Sequence, residues 1–210
     1  MVIDPAVIKP AIESYNRIAL TASYHVSYHL PALYGMDSIW QFQENISGII
    51  VMGSAASVHD GHKWQDDITD LLLESFDKSI PVMGICYGHQ LLAHICGGRV
   101  GPLWNGKKEQ GQRKVSVMEN SLWGKARNGQ MIYSHQDGVT QCPDDFEITA
   151  VSDMVSVDGF VSKTKPIWGF QTHIEATQAF IDNHNIPIAN HQETFAFGHQ
   201  ILDSFILSLA

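Results

Sequence analysis

The sequence predicts an α/β fold in which a mostly parallel central sheet is covered by helices on both faces and carries an antiparallel hairpin extension. Three observations predict it. Short apolar runs alternate with helix-like segments through the first hundred or so residues, the pattern of crossover-connected parallel strands. From Lys114 to Phe170 the runs are shorter, alternate in polarity and carry turn signals such as Asn128-Gly129 and Asp158-Gly159, which favours antiparallel hairpins. Helical spacing then returns near the C-terminus.

Taken in order, Val2-Ile3-Asp4 reads as an abbreviated first strand, and Pro5 opens a helix expected to reach about Ile18. Thr21 to Tyr28 is the expected second strand and Gly48 to Met52 the third. Trp64, Ile68, Leu71, Leu72, Ser75 and Phe76 fall on one side of a helix. Pro81 to Ile85 forms a buried strand, followed by a helix from Gly88 that stops at Gly97-Gly98. Leu202, Phe205, Ile206 and Leu209 make an apolar stripe on a final helix. No linker, repeat or low-complexity tract divides the chain, so residues 1–210 are expected to form one domain.

The chemistry concentrates in Gly84-Ile85-Cys86-Tyr87-Gly88-His89-Gln90. Cys86 stands where a buried strand must turn sharply into a helix, with a glycine two residues before it and another two after. Those glycines leave room for backbone to crowd a strained turn, and the helix N-terminus favours the thiolate. A merely buried cysteine needs no such flanks.

A cysteine nucleophile needs a base. In Trp168-Gly169-Phe170-Gln171-Thr172-His173-Ile174-Glu175, His173 and Glu175 are two apart, so on extended chain both project to one side while Ile174 points away. The imidazole can exchange the thiol proton while the carboxylate fixes its tautomer. The run Ile49-Ile50-Val51-Met52-Gly53-Ser54-Ala55-Ala56-Ser57 is a further strand entering a loop of small residues. Beside the cysteine turn, the amides of Gly53 and Tyr87 would make a two-donor oxyanion hole.

In this order the three segments resemble the class I glutamine amidotransferase family. The resemblance implies a flavodoxin-like glutaminase architecture, with Cys86 as nucleophile, His173 as acid-base group, Glu175 as its orienting partner and Gly53 and Tyr87 around the oxyanion. It also implies that Gln90, Ser134 and His135 help to grip glutamine. Two departures stand out: Ile174 replaces the proline usual between the triad histidine and glutamate, removing a fixed φ, and Met52-Gly53-Ser54 replaces the usual Gly-Gly-Pro. The second keeps the needed glycine.

Composition fits an enzyme in solution. With 44% hydrophobic and 17% charged residues, the chain is neither disordered nor membrane-spanning in character. No leader-like segment or apolar stretch of ~20 residues is seen, so a cytoplasmic location is expected. Thirteen Lys plus Arg against twenty-two Asp plus Glu give a net charge of −9, which disfavours nucleic acid as a partner. Three cysteines, Cys86, Cys96 and Cys142, argue against both a disulfide framework and a structural zinc site. The pairs His25/His29 and His59/His62 have ligand-like spacing, but the first lies in a strand-like run where the two would not converge and the second in a loop with no cysteine or carboxylate placed to complete a tetrahedron. Neither metal nor cofactor is expected.

The expected reaction is hydrolysis of the glutamine side-chain amide through a cysteinyl thioester. By the resemblance, ammonia passes to a synthetase domain or subunit. No Walker-type loop occurs in this chain, so acceptor chemistry is expected from a partner. Two other readings use the same residues: a stand-alone hydrolase of γ-glutamyl compounds, and a silenced binding protein on the same fold. A thiol redox protein is disfavoured, since Cys96 would lie roughly 15 Å from Cys86 along a helix.

Overall fold

The computed structural model describes residues 1–188 and 191–210, with side chains described at all of these except 43 and 191–194. Among the described residues eleven strands run in chain order: β1 (Val2–Ile3), β2 (Tyr28–His29), β3 (Ile49–Val51), β4 (Val82–Ile85), β5 (Arg99–Pro102), β6 (Glu109–Val117), β7 (Arg127–His135), β8 (Asp137–Gln141), β9 (Phe146–Val151), β10 (Gly159–Ser162) and β11 (Ile167–Phe170). The α-helices are α1 (Ile12–Thr21), α2 (Pro31–Tyr34), α3 (Asp37–Trp40), α4 (Lys63–Asp77), α5 (Tyr87–Ile95), α6 (Gln178–His184) and α7 (His191–Ser208).

Nine strands form one sheet in the order β2-β1-β3-β4-β11-β10-β9-β6-β7, and β5 pairs with β8 in a small second sheet. The pairs from β2 through β4 to β11 are parallel, while β11-β10, β10-β9, β9-β6 and β6-β7 are antiparallel. The expected hairpins therefore continue the main sheet rather than standing beside it.

Alternation along the strands sorts the core onto two faces. Ile49, Val51, Val82 and Ile167 face a cluster with Ile68, Leu71 and Leu72 of α4 and Leu91 and Leu92 of α5. Ile50, Met83, Ile85 and Phe170 face the opposite cluster, with Ile18 of α1 and Ile201, Leu202, Phe205 and Ile206 of α7. This two-residue period, with helices on both sides, is what a parallel sheet buried on both faces requires.

Four expectations are corrected. Residues 5–11 form a loop, and the helix begins only at Ile12. Asp4 accounts for this: its carboxylate accepts the amides of Ala6 at 3.1 Å and Ala11 at 2.8 Å, wrapping the segment around itself. Pro10 also disfavours helical geometry at Lys9. The second strand shrinks to Tyr28–His29, with Thr21 closing α1. Asn128-Gly129 is no turn: it lies within β7, paired with Ser116 and Val115. Gly129 serves a close approach there, since a Cβ would lie 2.1 Å from the Phe197 ring of α7. Finally, β11 ends at Phe170, so His173 and Glu175 sit on a turn, closed by the Ala176 amide donating to the His173 carbonyl at 3.2 Å.

Candidate active site

Because β3, β4 and β11 are adjacent and parallel, their C-terminal ends open on the same sheet edge. That edge is the usual place for a site in an open α/β sheet. The loop after β3 carries Gly53, the turn after β4 is Cys86, and the segment after β11 carries His173 and Glu175.

Cys86 has φ 51° and ψ −101°, a left-handed-side conformation that a non-glycine residue adopts only when its surroundings enforce it. The enforcement is visible. The Cys86 amide donates to the Phe170 carbonyl at 2.8 Å, and its carbonyl accepts the Gln90 amide at 3.0 Å. Both flanking glycines are needed for close backbone approach: a Cβ on Gly84 would lie 2.5 Å from the Gly88 carbonyl oxygen, and one on Gly88 would lie 2.2 Å from that of Val51. The first contact lets the helix fold back on its own strand. The second presses the β3 loop against the turn, where the Gly88 amide donates to the Met52 carbonyl at 3.2 Å.

His173 Nδ1 and Glu175 Oε1 are 2.8 Å apart and both side chains are buried. The His173 amide donates to the Ile132 carbonyl of β7 at 2.8 Å, and the ring packs on Phe180 with centroids 4.3 Å apart. Burial alone would depress the imidazolium, but the Glu175 carboxylate, the Cys86 sulfur and hydrogen bonds to both outweigh it and push His173 up to about 10. Ile174, between them, is fully buried among the α7 core residues. Gly198 of α7 makes that possible: a Cβ there would come within 3.0 Å of the Ile174 Cα. His199 Nε2 also lies 2.8 Å from the Ala176 carbonyl oxygen, tying helix to turn.

Cys86, His173, Glu175, Gly53, Gln90, Ser134 and His135 all line one cavity of about 470 Å³, a volume typical of small-molecule sites. Among the described residues, the amides of Gly53 and Tyr87 have no acceptor. The Tyr87 side chain turns away from the cavity, accepting from Gln65 Nε2 at 3.0 Å within the core. Ser134 Oγ donates to Gln110 Oε1 at 3.4 Å. No cluster of three or more His, Cys, Asp or Glu fit to hold a metal occurs among the described residues. His29 is buried between Ser27 and Ser38, and His59 contacts the Val100 carbonyl.

A polar network behind the cavity was not singled out by sequence. Arg113 of β6 pairs with Asp158, donates to His135 Nε2 at 2.9 Å and lies over the Tyr133 ring. Burial, reinforced by the Arg113 charge, holds His135 down to about 3, so it is a neutral imidazole. Its Nδ1 donates to the Asp137 carbonyl at 2.8 Å. Gln171, fully buried, is within 3.7 Å of Cys86 Sγ through Nε2. The sequence held one signal for Gln171, an amide at the end of an otherwise apolar strand two residues before His173.

Residues 12–187 match the family model described as glutamine amidotransferase class-I. The chain belongs to the class I glutamine amidotransferase family. Among its relatives are two proteins named GMP synthase [glutamine-hydrolyzing]. That of Ligilactobacillus salivarius is 38% identical over 135 residues, covering 62% of this chain and 25% of the relative. That of Borreliella burgdorferi is 33% identical over 168 residues, covering 79% and 28%. The chain thus spans about a quarter of the length of these curated relatives. Among solved structures, a glutamine amido transferase from Methylobacillus flagellatus superposes with a TM-score of 0.76 at 17% identity, covering 99% of this chain and 92% of that one. PurLQS from Thermotoga maritima gives 0.68 at 15%, covering 100% and 98%. At such identities the match speaks to the fold, and it is the amidotransferase fold anticipated from sequence. Among the described residues no helix is long and apolar enough to cross a membrane.

Proposed function

We propose that residues 1–210 form one glutaminase domain that hydrolyses the side-chain amide of glutamine to glutamate and ammonia. The observation that carries this reading is the buried His173–Glu175 pair, 2.8 Å apart, beside a cysteine held at φ 51° on the edge of a cavity. Family membership supplies the substrate class.

Cys86 passes its proton to His173, whose cation the Glu175 carboxylate stabilises. Sulfur attacks the γ-carbonyl carbon, and the oxygen takes up negative charge facing the Gly53 and Tyr87 amides. As the C–N bond breaks, His173 gives its proton to the departing nitrogen and ammonia leaves. Water then attacks the γ-glutamyl thioester, His173 accepts its proton, and the C–S bond breaks with the electron pair returning to sulfur. Gln90, Ser134 and His135 line the part of the cavity where glutamine would be gripped. No step needs a metal or an organic cofactor.

Ammonia is released to a synthetase unit, in keeping with relatives whose names join synthase activity to glutamine hydrolysis. The enzyme works in the cytoplasm, where thiols stay reduced.

A diazo-ketone glutamine analogue incubated with the protein tests the reading. With loss of N2 it should leave the rest of its mass on the Cys86 peptide and abolish ammonia release, while Cys86→Ser should take up no label and release no ammonia. Equal labelling of the wild type and Cys86→Ser would overturn the assignment. His173→Ala should lower turnover by roughly 10⁴-fold while leaving the fold intact; near-normal turnover would remove His173 from the mechanism.

A further inference from the structure

We infer that Gln171 is a further catalytic residue, its side-chain amide donating a hydrogen bond to the Cys86 sulfur. The inference rests on Cys86 being the nucleophile proposed above. Gln171 Nε2 lies 3.7 Å from Sγ, within range for a sulfur acceptor, and both residues are buried.

What makes this a built contact is the chain of donors behind it. The main-chain oxygen of Asp137 can only accept. Gln90 must therefore present its amino group there, at 2.8 Å, and the same nitrogen reaches Gln171 Oε1 at 3.3 Å. With its oxygen committed to Gln90, the Gln171 carboxamide must turn its N–H toward sulfur. The Asp137 carbonyl is itself held by His135 Nδ1 at 2.8 Å, and His135 Nε2 accepts from Arg113 at 2.9 Å. Asp158, paired with Arg113, closes the far end, and its carbonyl accepts the Gln171 main-chain amide at 2.8 Å. Arg113 donates to His135, His135 and Gln90 both donate to the Asp137 carbonyl, Gln90 also donates to Gln171 Oε1, and the remaining Gln171 N–H is the donor on sulfur.

Such a donor acts when sulfur carries charge. It stabilises the thiolate before attack, loses its partner's charge in the thioester, and regains it as the C–S bond breaks and the electron pair returns to sulfur. It thus favours both formation of the nucleophile and departure of the leaving group in thioester hydrolysis. Gln171 is not among the residues lining the cavity, so its effect falls on sulfur rather than on direct contact with substrate.

Gln171→Met keeps the side-chain length and removes the donor. The expected result is a roughly tenfold fall in kcat for glutamine with KM within about twofold, and a matching fall in the rate at which iodoacetamide alkylates Cys86. Wild-type kcat and alkylation rate in a folded Gln171→Met protein would overturn the inference. Should that variant fail to fold, alkylation of wild-type Cys86 should still move the side-chain amide resonance of isotope-labelled Gln171, and an unmoved resonance would be equally fatal. Iodoacetamide needs no glutamine. Normal alkylation behaviour in a protein that releases no ammonia would therefore sink the glutaminase reading and leave this one standing.

Discussion

Gly53 and His173 are so close that a single methyl group at residue 53 would sit 2.8 Å from the imidazole Cε1 and 3.6 Å from the Cys86 Cβ. The glycine is the spacer between the two proposed reacting side chains and also the carrier of an unpaired amide. Gly53→Ala must push either the imidazole or the loop out of place. A displacement of that order near reacting atoms costs roughly 10²-fold in kcat. Steady-state ammonia release, alongside an unchanged circular dichroism spectrum, checks this, and near-wild-type kcat would show that the contact yields freely.

Arg113 and Asp158 form a buried pair, exposed by only 4% and 0%. Burial lowers the arginine and raises the aspartate from their ordinary values, the signature of charges taken out of water. Arg113→Met leaves Asp158 uncompensated and should cost about 3–5 kcal/mol in urea unfolding. Arg113→Met with Asp158→Leu should recover a good part of that loss. A double variant as unstable as the single one would mean the pair matters through shape rather than charge.

Stability should fall on both sides of neutrality, for opposite reasons. Burial holds His29 down to about 4 and His89 and His135 to about 3, against an ordinary 6.5. Below pH 6.5 the unfolded chain takes up protons that these residues refuse in the fold, so stability present above 6.5 drains away as pH falls toward 3. Each such histidine contributes up to about 1.4 kcal/mol per pH unit in that window. His173, pushed up to about 10, contributes fully below 6.5 and its share is lost as pH rises through about 10. Urea midpoints measured from pH 5 to 10 should trace this dome, and His89→Asn should flatten its acid limb. A flat acid limb in the wild-type protein would contradict the assignment.

Legibility from sequence followed the range of the interactions involved. Cys86 and its two glycines were readable because a tight strand-to-helix turn demands those residue types within five positions. His173 and Glu175 were readable as a pair, though their common orientation comes from a turn and not from strand alternation. The loop at residues 5–11 was misread as helix because its cause is a side chain, Asp4, satisfying amides up to seven residues away. Asn128-Gly129 mimicked a hairpin turn, whereas Gly129 answers to Phe197 far along the chain. The Arg113–His135–Gln90–Gln171 series had no local signature, since its members come from β6, β7, α5 and the segment after β11.

The seat of Gly198 on the main chain of Ile174 gives α7 a mechanical part in the proposed reaction centre. α7 is the backstop against which the turn carrying His173 and Glu175 rests, so loosening it would slacken the proposed acid–base pair. The proposed ammonia release would therefore double as a gauge of whether α7 is docked.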